Sequence, residues 1–329
     1  MEKSPQMSNL TEALPPALQD AVDKFNTWAE AHLQSEQDKG TIEDALYHYT
    51  DGRGLKGIIE SGQIWFTGYR HLNDPSELFH GIDMARDVAR GMANGADGRV
   101  RLFLETFADM FRQQNFEKTL EFFIASFSRE RDDLGQWRAY ADNGRGLAIG
   151  FSPRLFRVVN EPAEGRLPEF AGPIVYKVDE VLARHAAPLE EAARIFLETV
   201  EANADLVSDK AIGFPFMQAF ARDVMASPLI WNCLTSKHPA YAHEREVRLV
   251  IMGTPEKLSP HVKTRLRGSE IVPYIAHAMP LREPHHIAEI VVGPAAPQGA
   301  ERDVSTMIRS LGVEVDFPVG RSDIPYRPS

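Results

Sequence analysis

The sequence predicts an α+β fold: one domain with a helical insertion, preceded by an N-terminal helix. Two observations predict it. Strand-like segments cluster near both ends of the chain, and the middle, at about 178–228, carries only helical periodicity. Residues 9–36 read as helix despite Pro15 and Pro16, because Leu18, Val22, Phe25, Trp28 and Ala29 recur at helical spacing. Residues 1–40 are therefore read as an appended helical arm and 41–329 as a single α+β domain.

Within that domain "ALYHYT" (45–50) reads as a strand, "GRGLKGIIESG" (52–62) as a short helix closed by Gly62, and "QIWFTG" (63–68) as a second strand. Helical periodicity follows at 75–94 and 100–116, with Asn73 or Asp74 placed to cap the first. Next come the strand "EFFIASFS" (121–128), the turn signal "DNGRG" (142–146) and the strand "LAIGF" (147–151). The insertion is expected to break at Pro188 and near Gly213-Phe214-Pro215 and to form a second helical layer. The remaining strands are "EVRLVIMG" (246–253), "EIVPYIA" (270–276), "IAEIVVGP" (287–294) and, after a helix at 300–311, "VEVDF" (313–317).

Composition narrows the function. Of 329 residues, 43% are apolar, enough for a proper core, and no apolar run approaches the roughly 18 residues a membrane span needs. The first twenty residues lack a secretory pattern, so a cytoplasmic protein with no membrane partner is expected. Cys233 is the only cysteine, which excludes an intrachain disulfide framework and a Cys-based zinc cluster. A net charge of −11 disfavours nonspecific nucleic-acid binding but leaves room for a local basic cleft.

No metal is expected. Glu77 and His80 stand at i and i+3 without the second copy a carboxylate-bridged site requires, and adjacent His285 and His286 would point to opposite faces. "GRGLAIG" opens a strand rather than a helix, so it is a hairpin turn and not a dinucleotide loop. What remains is a strand histidine and the segment "HEREVRLVI" (243–251). Alternation puts Leu46, His48 and Thr50 on one face of their strand and Tyr47 and Tyr49 on the other. It likewise aligns Glu244, Glu246 and Arg248, which read either as a solvated salt-bridge ladder or as a site.

The set "LYHYT", "GLKGIIESGQIWFT", "LNDPSE", "FIASFS", "QWRAYADNGRGLAIGF", "EREVRLVI" and "IAEIVVGP", covering roughly 45–295, resembles a bacterial family catalogued as a domain of unknown function. More distantly, "YHYTDGRGLKGIIESGQI" resembles the first strand, helix and second strand of ADP-ribosyltransferases, especially the DNA-modifying toxin group. The resemblance implies a split antiparallel β-sheet core of that type. It also implies NAD as substrate, with Glu246 stabilising the ribose cation and Glu244 orienting or deprotonating the acceptor. His48 and Thr50 would bond ribose or carboxamide groups, Tyr69 would stack on nicotinamide, and Ser126 and Ser128 would stand for the central Ser-Thr-Ser strand. Arg138, or Arg53, would bind the diphosphate. Phe127 replaces the middle residue of the serine strand, and the chain mixes the histidine-tyrosine-glutamate and arginine-serine-glutamate patterns of those enzymes.

Three functions are carried forward. The first is transfer of ADP-ribose from NAD to an acceptor (protein, small molecule or nucleic acid), or hydrolysis of NAD. The second is a nonenzymatic nucleotide-sensing or partner-binding module, and the third a nucleic-acid-modifying, toxin-like enzyme. Trp137 and Tyr140 are read as core, and Asn73 and Asp74 as a helix cap.

Overall fold

The computed structural model describes residues 14–39, 42–73, 77–112, 115, 120–159, 167, 169–281 and 283–326. The fold is α+β, with helices packed on a large, mostly antiparallel open sheet. Its strands are β1 (Leu46–Thr50), β2 (Gln63–Gly68), β3 (Glu121–Ser128), β4 (Leu147–Phe151), β5 (Glu169–Pro173), β6 (Glu246–Gly253), β7 (Val262–Arg267), β8 (Glu270–Ala278), β9 (Ile287–Val292) and β10 (Val319–Arg321). They join in the order β10-β9-β4-β1-β3-β2-β8-β7, with β6 also paired to β3 and β5 to β6. The β9–β10 pair is parallel.

Strand β3 organises the sheet. Along one edge β6 pairs with its whole length, from Glu121 opposite Gly253 to Ser128 opposite Glu246. The other edge is shared: β1 pairs only at Ser128, and β2 only at Ile124 and Phe123. Between them Ala125, Ser126 and Phe127 have no strand partner on that edge. The sheet opens there into two wings, β1-β4-β9-β10 and β2-β8-β7.

Paired residues share a face. Phe123, Ala125, Phe127, Val247, Leu249 and Ile251 point into one apolar layer, together with Leu55 and Ile59 of helix α2 (Gly52–Ser61). Asp51 caps α2 by accepting from Gly54 N at 2.7 Å, and Gly62 closes it in the left-handed region at φ 65°. Phe122, Ile124 and Val250 point the other way, into a helical layer. That layer comprises α1 (Pro16–Lys39), α3 (Glu77–Gly95), α4 (Gly98–Met110), then, after α5 (Leu134–Tyr140), α6 (Val178–Ala202), α7 (Lys210–Val224) and α8 (Ile230–Leu234).

Several expectations are corrected. Helix α1 packs on the helical layer, with Leu18, Val22 and Phe25 almost wholly buried and Phe25 edge-on to Phe220. The expected helix start at 9–13 and Asp74 lie outside the described residues. Helix α6 runs through Pro188 and α7 through Pro215; the break falls at Asn203 and Asp209. "VEVDF" is not a strand: Val313 and Val315 pack on the core as coil, and the ladder forms at Val319–Arg321. Among the described residues no helix is long and apolar enough to cross a membrane.

Helix α3 presses closely on α8, because a Cβ at Gly81 would lie 2.6 Å from Cys233 Cα. Gly81→Ala is expected to lower stability by about 1–3 kcal/mol through overpacking. Gly91→Ala on the same helix meets nothing within 4 Å and should be neutral or stabilising. Urea midpoints at constant slope check both.

Candidate functional site

A cleft of about 950 Å³ opens where the β3 edge is shared. Its position follows from a change of character in two strands at one step of register. On one face β6 reads Glu246, Arg248, then Val250, and β3 reads Ser128, Ser126, then Ile124. The helical layer covers the apolar part. Farther along, α5 covers Tyr47 and Tyr49 of β1 with Trp137. Between these two covers the polar ends of β3 and β6 face the cleft.

The floor carries four nearly buried charges: Lys237, Glu244, Glu246 and Arg248 are 6%, 8%, 6% and 2% exposed. Arg248 grips Glu246 with both arms of its fork, Nε to Oε1 at 2.7 Å and Nη2 to Oε2 at 3.1 Å, and gives Nη1 to Leu234 O at 2.8 Å. Lys237 Nζ bridges the carboxylates, 2.6 Å from Glu244 Oε2 and 3.1 Å from Glu246 Oε2, and lies 4.7 Å from the Tyr241 ring centre. Burial opposes the Glu246 charge. The Arg248 and Lys237 charges outweigh it and, with a hydrogen bond from Ser126, hold that carboxyl down at about 2. Local structure delivers these groups: Lys237 follows α8 and donates its backbone N–H to Val175 O, and Arg245 turns through φ 43° to aim Glu244 inward before β6 starts. Glu244 thus belongs to a 3-10 turn rather than to the strand, and the arrangement is a buried cluster rather than a solvated ladder.

His48 reaches the cleft differently. Because Tyr47 pairs with Ser128, alternation puts His48 and Thr50 on the sheet face opposite Ser126, Glu246 and Arg248. His48 nevertheless fills the opening beside β3. Its Nδ1 donates to Ser126 O at 3.1 Å, and its ring stands 5.7 Å from that of Phe127. Burial depresses its pKa, the Arg265 charge adds to that, and the carbonyl bond opposes it only in part. The neutral ring with a proton on Nδ1 keeps an acceptor lone pair on Nε2.

Of the residues singled out from sequence, His48, Thr50, Ser126, Ser128, Arg138, Glu244 and Glu246 line this cleft, as does Arg53. Two are placed otherwise than expected. Tyr69 turns into the helical layer, edge-on to Phe122, because the chain enters a 3-10 turn directly after Gly68. Ser128 is buried and structural, donating to Glu244 O at 2.6 Å and accepting from Glu130 N at 3.0 Å. Thr50 sits over Gly54, where a Cβ would collide with its hydroxyl. Sequence reasoning missed Lys237, Trp65 and Arg265, and took Asn73 and Tyr140 as cap and core. Tyr140 is 37% exposed, hydrogen-bonded to Asn73, and both line the cleft.

A family model described as "Protein of unknown function (DUF2971)" matches residues 136–249, a span that holds Arg138 and the four floor charges but not His48. No curated protein and no solved structure matches the chain.

Removing one buried partner strands the others. Glu246→Gln should cost about 3–5 kcal/mol at neutral pH, since it leaves Arg248 and Lys237 undercompensated. The Glu246 pKa is depressed on folding, so its contribution is complete above about pH 4.5 and lost as pH falls towards 2. Urea titrations from pH 7 to 2 should show the gap between wild type and variant closing across that window.

Proposed function

We propose that the chain binds NAD in this cleft and cleaves its nicotinamide–ribose bond, passing ADP-ribose to an acceptor or to water. One observation carries the reading: His48 and Glu246, almost 200 residues apart, reach one cleft through the opening beside β3. The charge balance supports it. Arg53, Arg138 and Arg265 line the cleft from three different elements, and none has a carboxylate partner among the described residues. In a chain of net charge −11, that is a local match for a ligand bearing several negative charges.

Bond cleavage develops positive charge on the ribose, and a fixed carboxylate beside it stabilises chiefly the transition state. Glu246 is held ionised for that task. Glu244, engaged only through Oε2 among the described residues, has an oxygen left to orient an acceptor or take its proton. His48 Nε2 accepts a ribose hydroxyl or carboxamide N–H.

A specific observation favours a second reading, in which the cleft senses a nucleotide without turnover. Glu246 already accepts from Arg248 twice, from Lys237 and from Ser126, about as many bonds as a carboxylate takes. Under the first reading, the ligand hydroxyl displaces the exposed Ser126 hydroxyl.

Incubation of pure protein with NAD, reading free nicotinamide with and without DNA or RNA, separates these readings. Release is expected from wild type. At a temperature where melts show it folded, Glu246→Gln should fall by about 10²-fold or more. His48→Ala removes the partner of the Ser126 carbonyl, so it should lower the melting temperature; at a temperature where the variant is folded it should weaken NAD binding by about 1–3 kcal/mol. No nicotinamide, with a melting temperature raised by NAD, selects the sensing module.

A further inference from the structure

The three strands β2, β8 and β7 present one face to the cleft, and register fixes what stands on it. Thr67 opposes Tyr274, Tyr274 opposes Lys263, and Trp65, Arg265 and Arg267 share that face by alternation. This is also the Glu246 face, because Thr67 opposes Ile124 of β3.

Two residues here are unusual. Trp65 is 42% exposed, held with its ring centre 4.3 Å from that of Tyr274 and 5.3 Å from the Arg265 guanidinium, and it lines the cleft. Arg265 donates Nη2 to Thr67 Oγ1 at 3.2 Å, whereas its Nε is buried without a hydrogen-bond partner. Its neighbour Arg267 is engaged by Glu270, at 2.8 Å and 3.1 Å. Burial and the Arg267 charge both press against the Arg265 charge. An anion in the cleft beside this guanidinium would offset part of its burial cost and relieve the like-charge repulsion together. Arg265 and His48 both line the cleft, so an anion held by Arg265 would lie within it.

A ligand suited to this wall needs a flat π face for Trp65 and an anionic group for the guanidinium. We propose that the β2-β8-β7 wall is a nucleotide subsite, stacking the base of a nucleoside diphosphate on Trp65 and binding its phosphates through Arg265 and Thr67. The subsite rests on the dinucleotide reading only for what occupies the rest of the cleft; capture of the nucleotide requires no bond cleavage.

Calorimetric titration of the full chain with ADP, and with adenosine and inorganic pyrophosphate as its halves, tests this. ADP should bind more tightly than either half. Arg265→Gln should weaken ADP by at least about tenfold and leave adenosine unchanged, and Trp65→Ala should weaken ADP and adenosine alike by a similar factor while leaving pyrophosphate unchanged. Thermal melts establish that each variant is folded; if Arg265→Gln is not, Arg265→Lys keeps the charge, loses the fork and should still weaken ADP. Failure of ADP to bind wild type, or wild-type affinity for ADP in a folded variant at either position, overturns the subsite. ADP binding with this pattern but no nicotinamide release from NAD removes the cleavage reading and leaves the subsite standing. Nicotinamide release with unaltered ADP affinity in the variants does the reverse.

Discussion

Strand β3 has two edges and three strand neighbours, and the molecule is organised by how that is resolved. One edge goes entirely to β6. The other is divided between β1 and β2, which cannot both continue along it, so three residues are left uncovered and the sheet parts into two wings. Unpaired backbone groups inside a protein are costly, and the Ser126 carbonyl in the gap is satisfied by the His48 imidazole instead of a strand. The same opening that strands this carbonyl makes the cleft.

Chemistry is placed by the step at which side chains change from polar to apolar. Ser126 opposite Arg248 faces the cleft, and Ile124 opposite Val250, the next pair on that face, is core. Four charges beside that boundary would be costly singly. As two carboxylates against an ammonium and a guanidinium they nearly cancel, and the fork of Arg248 fixes the geometry. Three further arginines without carboxylate partners among the described residues leave the cleft positive in an acidic protein, which favours an anionic ligand.

Most strands were legible because alternation marks them: LYHYT, QIWFTG, EFFIASFS, LAIGF and EVRLVIMG all form as read. EFAGP and VKTRLR were missed, the first because Gly172 and Pro173 are poor strand formers and the second because an edge strand exposes polar residues on both faces. Glu244, Glu246 and Arg248 were legible as a group through their spacing of two. Lys237 was not, since it stands in an irregular segment and reaches the carboxylates only through the Val175 contacts. The facing of His48 could not be read from its strand alone: alternation within LYHYT is visible, but the gap that lets an off-face ring enter the cleft depends on pairings about 80 residues away. Tyr69 failed for a local reason, the turn after Gly68.

Under the proposed function, a dinucleotide binds in the opening beside β3. A crystal structure of the chain with a non-hydrolysable NAD analogue tests it directly. The expected result is a nicotinamide ribose between His48 Nε2 and the Glu244–Glu246 pair, within hydrogen-bond reach of both. A ligand bound elsewhere, or in the cleft with its ribose away from both groups, would contradict it.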